Sequence, residues 1–278
     1  MENCVHKIEE IHITNSIFDS IADCTYVCLC CGENPKRLPS VLKNINILKP
    51  SQKVKLVYNK GYKNCPCSVS TNHDLANIQT YIFEDAIRNN YSRILWLEDD
   101  FELPEKIGKD HIRSISDFIK QNNPDIYGLG NFSLPKITSL FSPHQKVVSN
   151  FLVLSHAVFY NNNTMRKLVK YYKEHKNPVE IAIDTSIKDV DNIEVYRYYI
   201  PLVYQTLPAT DNQKNGWAKT MGNFLPSTIV TGWPKLLNLH KNLQPGYTIL
   251  YILPYILYLL LLILFVVLIK YIYKKLQK

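Results

Sequence analysis

The chain has 278 residues, 46% of them hydrophobic and 20% charged, which is long and apolar enough for a sizeable core and excludes a disordered chain. Its formal charge of +8 invites a nucleic-acid reading, but Lys270, Lys274, Lys275 and Lys278 supply half of that from the extreme C-terminus. No basic stripe interleaved with aromatics remains elsewhere, so nucleic acid is excluded as a partner.

Residues 1–24 show no periodic pattern and read as an N-terminal extension. A short apolar run at 25–31 reads as a strand, broken by Gly32 and Pro35 before a helix over 37–48. A second strand follows at 53–58, then a loop at 59–70. The next helix is expected to cap on Asn72 and to carry Leu75, Ile78, Ile82 and Ala86 at helical spacing to residue 89. Ile94, Leu95, Trp96 and Leu97 are four large apolar residues in a row, the pattern of a strand buried on both faces. Beyond it lie a helix over 110–121, strands at 126–129 and 157–160, a helix over 164–175 capped by Asn163 or Thr164, and a strand at 195–203. Strand and helix in succession over 25–206 predict an α/β domain with a mostly parallel sheet and helices on both faces. Residues 207–246, rich in Pro, Asn and Gly, read as an irregular lobe and linker.

Residues 247–269 contain no charge. At 1.5 Å per residue they reach across a hydrocarbon layer of about 30 Å, so a C-terminal transmembrane helix is expected, followed by a basic tail at 270–278. Tyr247, Tyr251, Tyr255 and Tyr258 at one end, with Tyr271 and Tyr273 at the other, resemble interfacial aromatic belts. Pro254 either kinks this helix or marks its start. The span is expected to add nothing to the core of the domain. The N-terminus shows no basic start followed by an apolar core, which places the domain on the cytosolic side; the four lysines after the span argue for the reverse orientation. All seven cysteines fall within the first 67 residues, an odd number that reads as reduced thiols. Cys28, Cys31, Cys65 and Cys67 also offer a zinc alternative. Sequons begin at Asn131 and Asn162.

The buried strand at 94–97 ends in Glu98, Asp99 and Asp100. Three adjacent carboxylates repel one another, and a divalent cation is the simplest neutraliser. With extended backbone, Glu98 and Asp100 project to one side and share the ion, whereas Asp99 points away towards a sugar hydroxyl or a backbone cap. The carboxyl end of a central strand is also where open α/β sheets bind ligands. The competing reading is the acidic first turn of a helix. A GT-A-like nucleotide-sugar transferase fits this layout, because it must neutralise a diphosphate leaving group. No glycine-rich phosphate loop points to a P-loop or dinucleotide enzyme instead.

Six pieces together resemble glycosyltransferase family 25, the bacterial lipopolysaccharide and procollagen galactosyltransferases, over roughly residues 25–206. They are Asn34-Pro35-Lys36-Arg37, Ser70-Thr71-Asn72-His73, Ile94 to Asp100, Ser155 to Tyr160, Ile183-Asp184-Thr185 and Pro201 to Gln205. The chain departs from that pattern before Ser155, where the family carries Gly and Cys, and at Asn72, where Ser is usual. The resemblance implies that Glu98 and Asp100 bind Mn²⁺ or Mg²⁺, that Asp99 meets the diphosphate, that Arg37 and His73 lie near the nucleotide, and that Asp184 stands by the acceptor. On chemical grounds Asp184 is the candidate base of an inverting transfer, which needs one carboxylate within reach of the acceptor hydroxyl. His73, His156 and Gln205 are candidate substrate-binding residues; the competing readings make His73 a polar residue at a helix start and His156 a core histidine ahead of an apolar strand. Gln205 and Asp211 are the alternates. The implied partners are a nucleotide-sugar donor, a glycan, lipid or protein acceptor, and a membrane. Two other classes compete: a membrane-tethered binding or assembly protein on a degenerate transferase fold, and a metal-dependent phosphoesterase, for which the eight histidines form no spaced cluster.

Overall fold

The computed structural model describes residues 5–29, 37–65, 68–104, 107–131, 133–150, 155–174, 186–205 and 245–277. Its centre is strand β4 (Arg93–Glu98), in which Ile94 to Leu97 are all fully buried. Side chains alternate along a strand, so Ile94 and Trp96 enter one core while Leu95 and Leu97 enter another on the opposite face. The first core is closed by α2 (Thr71–Arg88) and α4 (Asn162–Glu174), the second by α1 (Leu38–Leu48) and α3 (Lys109–Asn122). A strand covered on both sides has no solvent face, which is why its sequence does not alternate.

The sheet has eight strands among the described residues, in the order β1-β3-β2-β4-β8-β6-β9-β7. β2 (Cys24–Leu29) pairs in parallel with both β3 (Lys53–Asn59) and β4, and β6 (Ile126–Gly128) in parallel with β9 (Val195–Tyr198). Between these halves β8 (Ala157–Asn161) runs antiparallel to both β4 and β6, so five strands share one direction. The edge strands β1 (Val5–His12) and β7 (His144–Lys146) are antiparallel to their neighbours. The expected α/β architecture, mostly parallel with helices on both faces, is therefore present.

The sheet starts earlier than its sequence suggests. Val5, Ile8 and Ile11 recur every third residue, a period of neither strand nor helix, yet they belong to β1. A register shift between Val5 and Lys7 lets Val5 and Ile8 pack on the same core, with Ile11 on the other. Phe18, Ile21 and Ala22 are buried as well, so the first 24 residues contribute to the fold. Two helix starts also move. Ser70, not Asn72, caps α2, accepting the His73 N–H at 3.1 Å. Asn161 caps α4 through the Thr164 N–H at 2.8 Å. With nine glycines in the chain, left-handed positions fall largely to asparagine, as at Asn90 and Asn123.

The cysteines divide. Cys24 and Cys28 are free and buried, and burial pushes the Cys24 thiol up to about 12. Cys28 lies inside the α2/α4 core. Cys65 is disulfide-bonded, against the expectation of reduced thiols throughout. Cys30, Cys31 and Cys67 lie outside the described residues.

The C-terminal helix α5 (Pro245–Leu276) runs unbroken through Pro254. Its stretch Tyr251–Leu276 is long and apolar enough to cross a membrane, with a mean hydropathy of 3.1 over 18 of its residues. The expectation that it stands apart from the domain is overturned over its first turns. Tyr251 is 3% exposed and donates to Asn131 O at 2.8 Å, Tyr255 donates to Leu140 O at 3.1 Å, and Tyr258 to Pro135 O at 2.7 Å. The Arg197 guanidinium stacks 4.5 Å from the Tyr251 ring centroid. Tyrosines at i, i+4 and i+7 share one helix face, and that face docks on the domain. From Leu259 to Ile269 every residue is exposed.

Candidate functional site

Glu98 closes β4 by donating its N–H to His156 O at 2.9 Å. The chain then turns through Asp99 and Asp100 into β5 (Phe101–Glu102), which leaves the main sheet and pairs with β10 (Tyr204–Gln205). Asn44 of α1 fixes this departure, donating to Phe101 O at 2.9 Å. In the β5/β10 register Gln205 lies opposite Phe101, which sets its side chain over the acidic turn.

The two outer carboxylates converge there. Gln205 Nε2 lies 3.4 Å from Glu98 Oε2 and 3.3 and 3.1 Å from the two oxygens of Asp100. Ser155 Oγ donates to Glu98 Oε1 at 3.4 Å. Asp99 is turned the other way, nine-tenths buried, in an ion pair with Arg37 at the N-terminus of α1. Burial pushes the Asp100 carboxyl above the usual carboxylate range, and the nearby Glu102 adds to this. The Arg37 charge and the Gln205 amide offset only part of it. The acidic turn thus sets Asp99 on the Arg37 guanidinium and brings Glu98 and Asp100 together under the Gln205 amide.

The donor set suits a hard divalent ion. Glu98 and Asp100 offer carboxylate oxygens, whereas Gln205 turns its Nε2 to them; its Oε1 is buried with no donor among the described residues, and reversing the amide would bring that oxygen to the pair. Two carboxylates with one amide oxygen leave positions for phosphate and water, the usual arrangement for Mg²⁺ or Mn²⁺. No group of three His, Cys, Asp or Glu side chains assembles among the described residues.

The remaining candidates fall into three places. His73 begins α2 at the same, carboxyl edge of the sheet, its Nδ1 accepting the Val69 N–H at 3.2 Å. Partial burial lowers its pKa, favouring a neutral imidazole. No hydrogen bond joins it to the acidic turn among the described residues. His156 stands behind the site instead of in it. It is fully buried, with Nε2 3.1 Å from Val203 O, and so braces the segment that delivers Gln205. Asp184 and Asp211 lie outside the described residues.

Three supporting residues escaped the sequence reading. Gly130 is one, because a Cβ there would sit 1.8 Å from Val203 O and 2.8 Å from His156 Nε2. The Gly128-x-Gly130 spacing was its only visible signal. Asn44 is another, an asparagine inside a helix with nothing in sequence to show its partner. Asp74 is the third. It is buried beside His73 and receives Asn59 Nδ2 at 2.7 Å and Ser68 Oγ at 3.1 Å, tying the α2 start to the end of β3. Two surface clefts, one between α2 and α4 and one beside Asp23 and Arg93, include no residue of the acidic turn.

No family model matches the chain, and no curated protein matches it. The resemblance to glycosyltransferase family 25 therefore stands on the quoted residues alone. Among solved structures the chain is similar to A197 from STIV, at 11% identity and a TM-score of 0.39 over 68% of this chain and 86% of that one. It is also similar to a glycosyltransferase involved in the glycosylation of the major capsid of PBCV-1, at 10% identity and a TM-score of 0.41 over 67% of this chain and 95% of that one. At that level of superposition neither neighbour bears on the chemistry, which rests on the acidic turn itself.

Proposed function

We propose that the protein is a metal-dependent glycosyltransferase that moves a hexose from a nucleotide sugar to a hydroxyl acceptor near a membrane, with α5 as its anchor. One observation carries the reading: at the carboxyl end of a central strand, Glu98 and Asp100 converge on one point while Asp99 is held apart by Arg37. A divalent ion bound by Glu98, Asp100 and the Gln205 amide oxygen would neutralise the developing charge of a diphosphate leaving group. The chain's own residues do the rest. Arg37 and Asp99 fix the start of α1 against the turn, so the carboxylates keep their geometry. His73, neutral at the α2 N-terminus, offers a hydrogen bond to ribose or phosphate. Asp184 is the proposed base that takes the acceptor proton in an inverting displacement.

Purified protein with a panel of nucleotide sugars and Mn²⁺ should release nucleotide. Asp100→Asn, nearly isosteric, should keep the fold and lower turnover by two or more orders of magnitude, about the several kcal/mol that charge stabilisation of this kind supplies. Metal and nucleotide binding should fall together in that variant, because each completes the other's coordination, while Asp99→Asn should affect metal binding less. Metal-independent nucleotide-sugar binding, equal in wild type and both variants, would sink the mechanism. It would favour a membrane-tethered binding protein on a degenerate fold, a reading to which the absence of a third acidic or histidine ligand among the described residues lends weight.

A further inference from the structure

The loop between β6 and β7 carries two large apolar side chains that stand exposed among the described residues. Ile137 is 67% exposed and Phe141 is 93% exposed, while Leu140 between them is buried. The backbone beneath them is pinned. Lys136 N–H donates to Lys146 O at 2.7 Å, Leu140 N–H to Ile137 O at 3.2 Å, and Gln145 Nε2 to Leu140 O at 2.8 Å. Their exposure is thus a fixed feature of the surface.

The same loop receives the membrane helix. Tyr258 is bonded to Pro135 O, two residues before Ile137, and Tyr255 to Leu140 O, one residue before Phe141. On the opposite face of that helix Ile252, Ile256 and Leu257 are 44–48% exposed, and past Tyr258 every side chain is exposed as far as Ile269. The level at which the helix leaves the domain is therefore the level at which Ile137 and Phe141 protrude. Exposed apolar side chains of this size mark a contact, and their place beside the turns where the apolar helix leaves the domain names the occupant.

We infer that Ile137 and Phe141 insert into the interfacial layer of the bilayer that α5 crosses, forming a second, monotopic contact beside the anchor. This rests on the reading of α5 as a membrane span. The partner is the lipid surface, with Lys136 placed among head groups and the two apolar side chains at the acyl boundary.

The test uses the full chain in lipid nanodiscs with or without bromine on the acyl chains, reading the tryptophan emission that each variant adds over wild type. Phe141→Trp and Ile137→Trp should add blue-shifted emission that brominated lipid quenches. Ile47→Trp, at an equally exposed apolar position on α1, should add water-like emission that it does not quench. A disc-embedded protein whose Phe141→Trp emission is unquenched overturns the inference. Blue-shifted but unquenched emission overturns it as well, because that result means a protein surface covers the loop. Failure to enter discs, or release by alkaline carbonate, overturns the anchor instead and is thereby distinguished.

Discussion

Gln205 is one amide facing two carboxylates, and substitutions there read out what the acidic turn requires. Gln205→Leu removes the donor that bridges Glu98 and Asp100, so their repulsion is less offset, and the melting temperature should fall without metal. Gln205→Glu adds a third carboxylate. It should melt lower still without metal but gain more than wild type from added Mn²⁺, in thermal scans with and without the ion. Equal melting temperatures in all conditions would show that no cation belongs there. A second residue sets a pH dependence. His144 is bonded through Nδ1 to Tyr127 OH at 2.7 Å and stacked 4.2 Å from the Phe118 ring, and burial lowers its pKa from 6.5 to about 4. The unfolded chain therefore takes up a proton that the fold refuses. Stability is complete above pH 6.5 and declines as pH falls towards 4. His144→Phe should flatten that decline between pH 6.5 and 5 in denaturant titrations. An unchanged slope would place the titration elsewhere. At this scale the convergence of Glu98 and Asp100 was expected from extended backbone, but β4 ends at Glu98 and the chain turns at Asp99 and Asp100, so it is that turn that brings the pair together. The pair's partners were not legible: Gln205 is more than 100 positions away, and His156 meets Val203 across 47.

Among elements, the short pairing of β5 with β10 is what converts a strand end into a site. It depends on the close approach of Leu129 and Gly130 to the segment before Gln205, where Leu202 N–H donates to Leu129 O at 2.8 Å. Gly130→Ala forces a methyl group into backbone that has no side chain to move aside, so a loss of about 1–3 kcal/mol is expected in chemical denaturation. Affinity for nucleotide sugar should fall with it, because the displaced strand carries Gln205. A variant that keeps full stability would show that the backbone yields locally. The long elements were readable from sequence because their apolar spacing is strong: α2, α3 and β4 end within two residues of expectation. The short ones were not. β5, β7 and β10 have two or three residues each, too few for any period, and exist only through their partners.

Across the whole molecule, the anchor and the domain share a boundary that composition alone could not reveal, since a run of Leu and Ile looks the same whether or not its tyrosines are docked. Truncation before α5 should lower the melting temperature of the remaining domain, because it uncovers Arg197, which is fully buried, and removes the donors to Asn131 O, Leu140 O and Pro135 O. An unchanged melting temperature in detergent would mean that the contacts contribute nothing. The side of the membrane calls for engineered reporters, because the native sequons are poor ones. Asn131 is fully buried with its amide on Ser133 Oγ, and Asn162 donates to Tyr91 O. With the domain in the cytosol, an acceptor sequence appended after Lys278 gains a glycan. The terminal lysines and the Cys65 disulfide favour the opposite result, in which an acceptor placed near the exposed Ile47 gains it.

The tyrosine contacts carry one more implication. A catalytic head on a loose tether sweeps a hemisphere and meets its partners in three dimensions, whereas one bolted at three successive helical turns neither swivels nor rises. If the protein is the membrane-anchored transferase proposed above, its reach is a disc at constant height above the lipid, and its acceptors must carry the reactive hydroxyl to that height. Encounter then scales with the number of acceptors per unit area of membrane, so diluting them with inert lipid should slow the reaction even when their bulk concentration is unchanged.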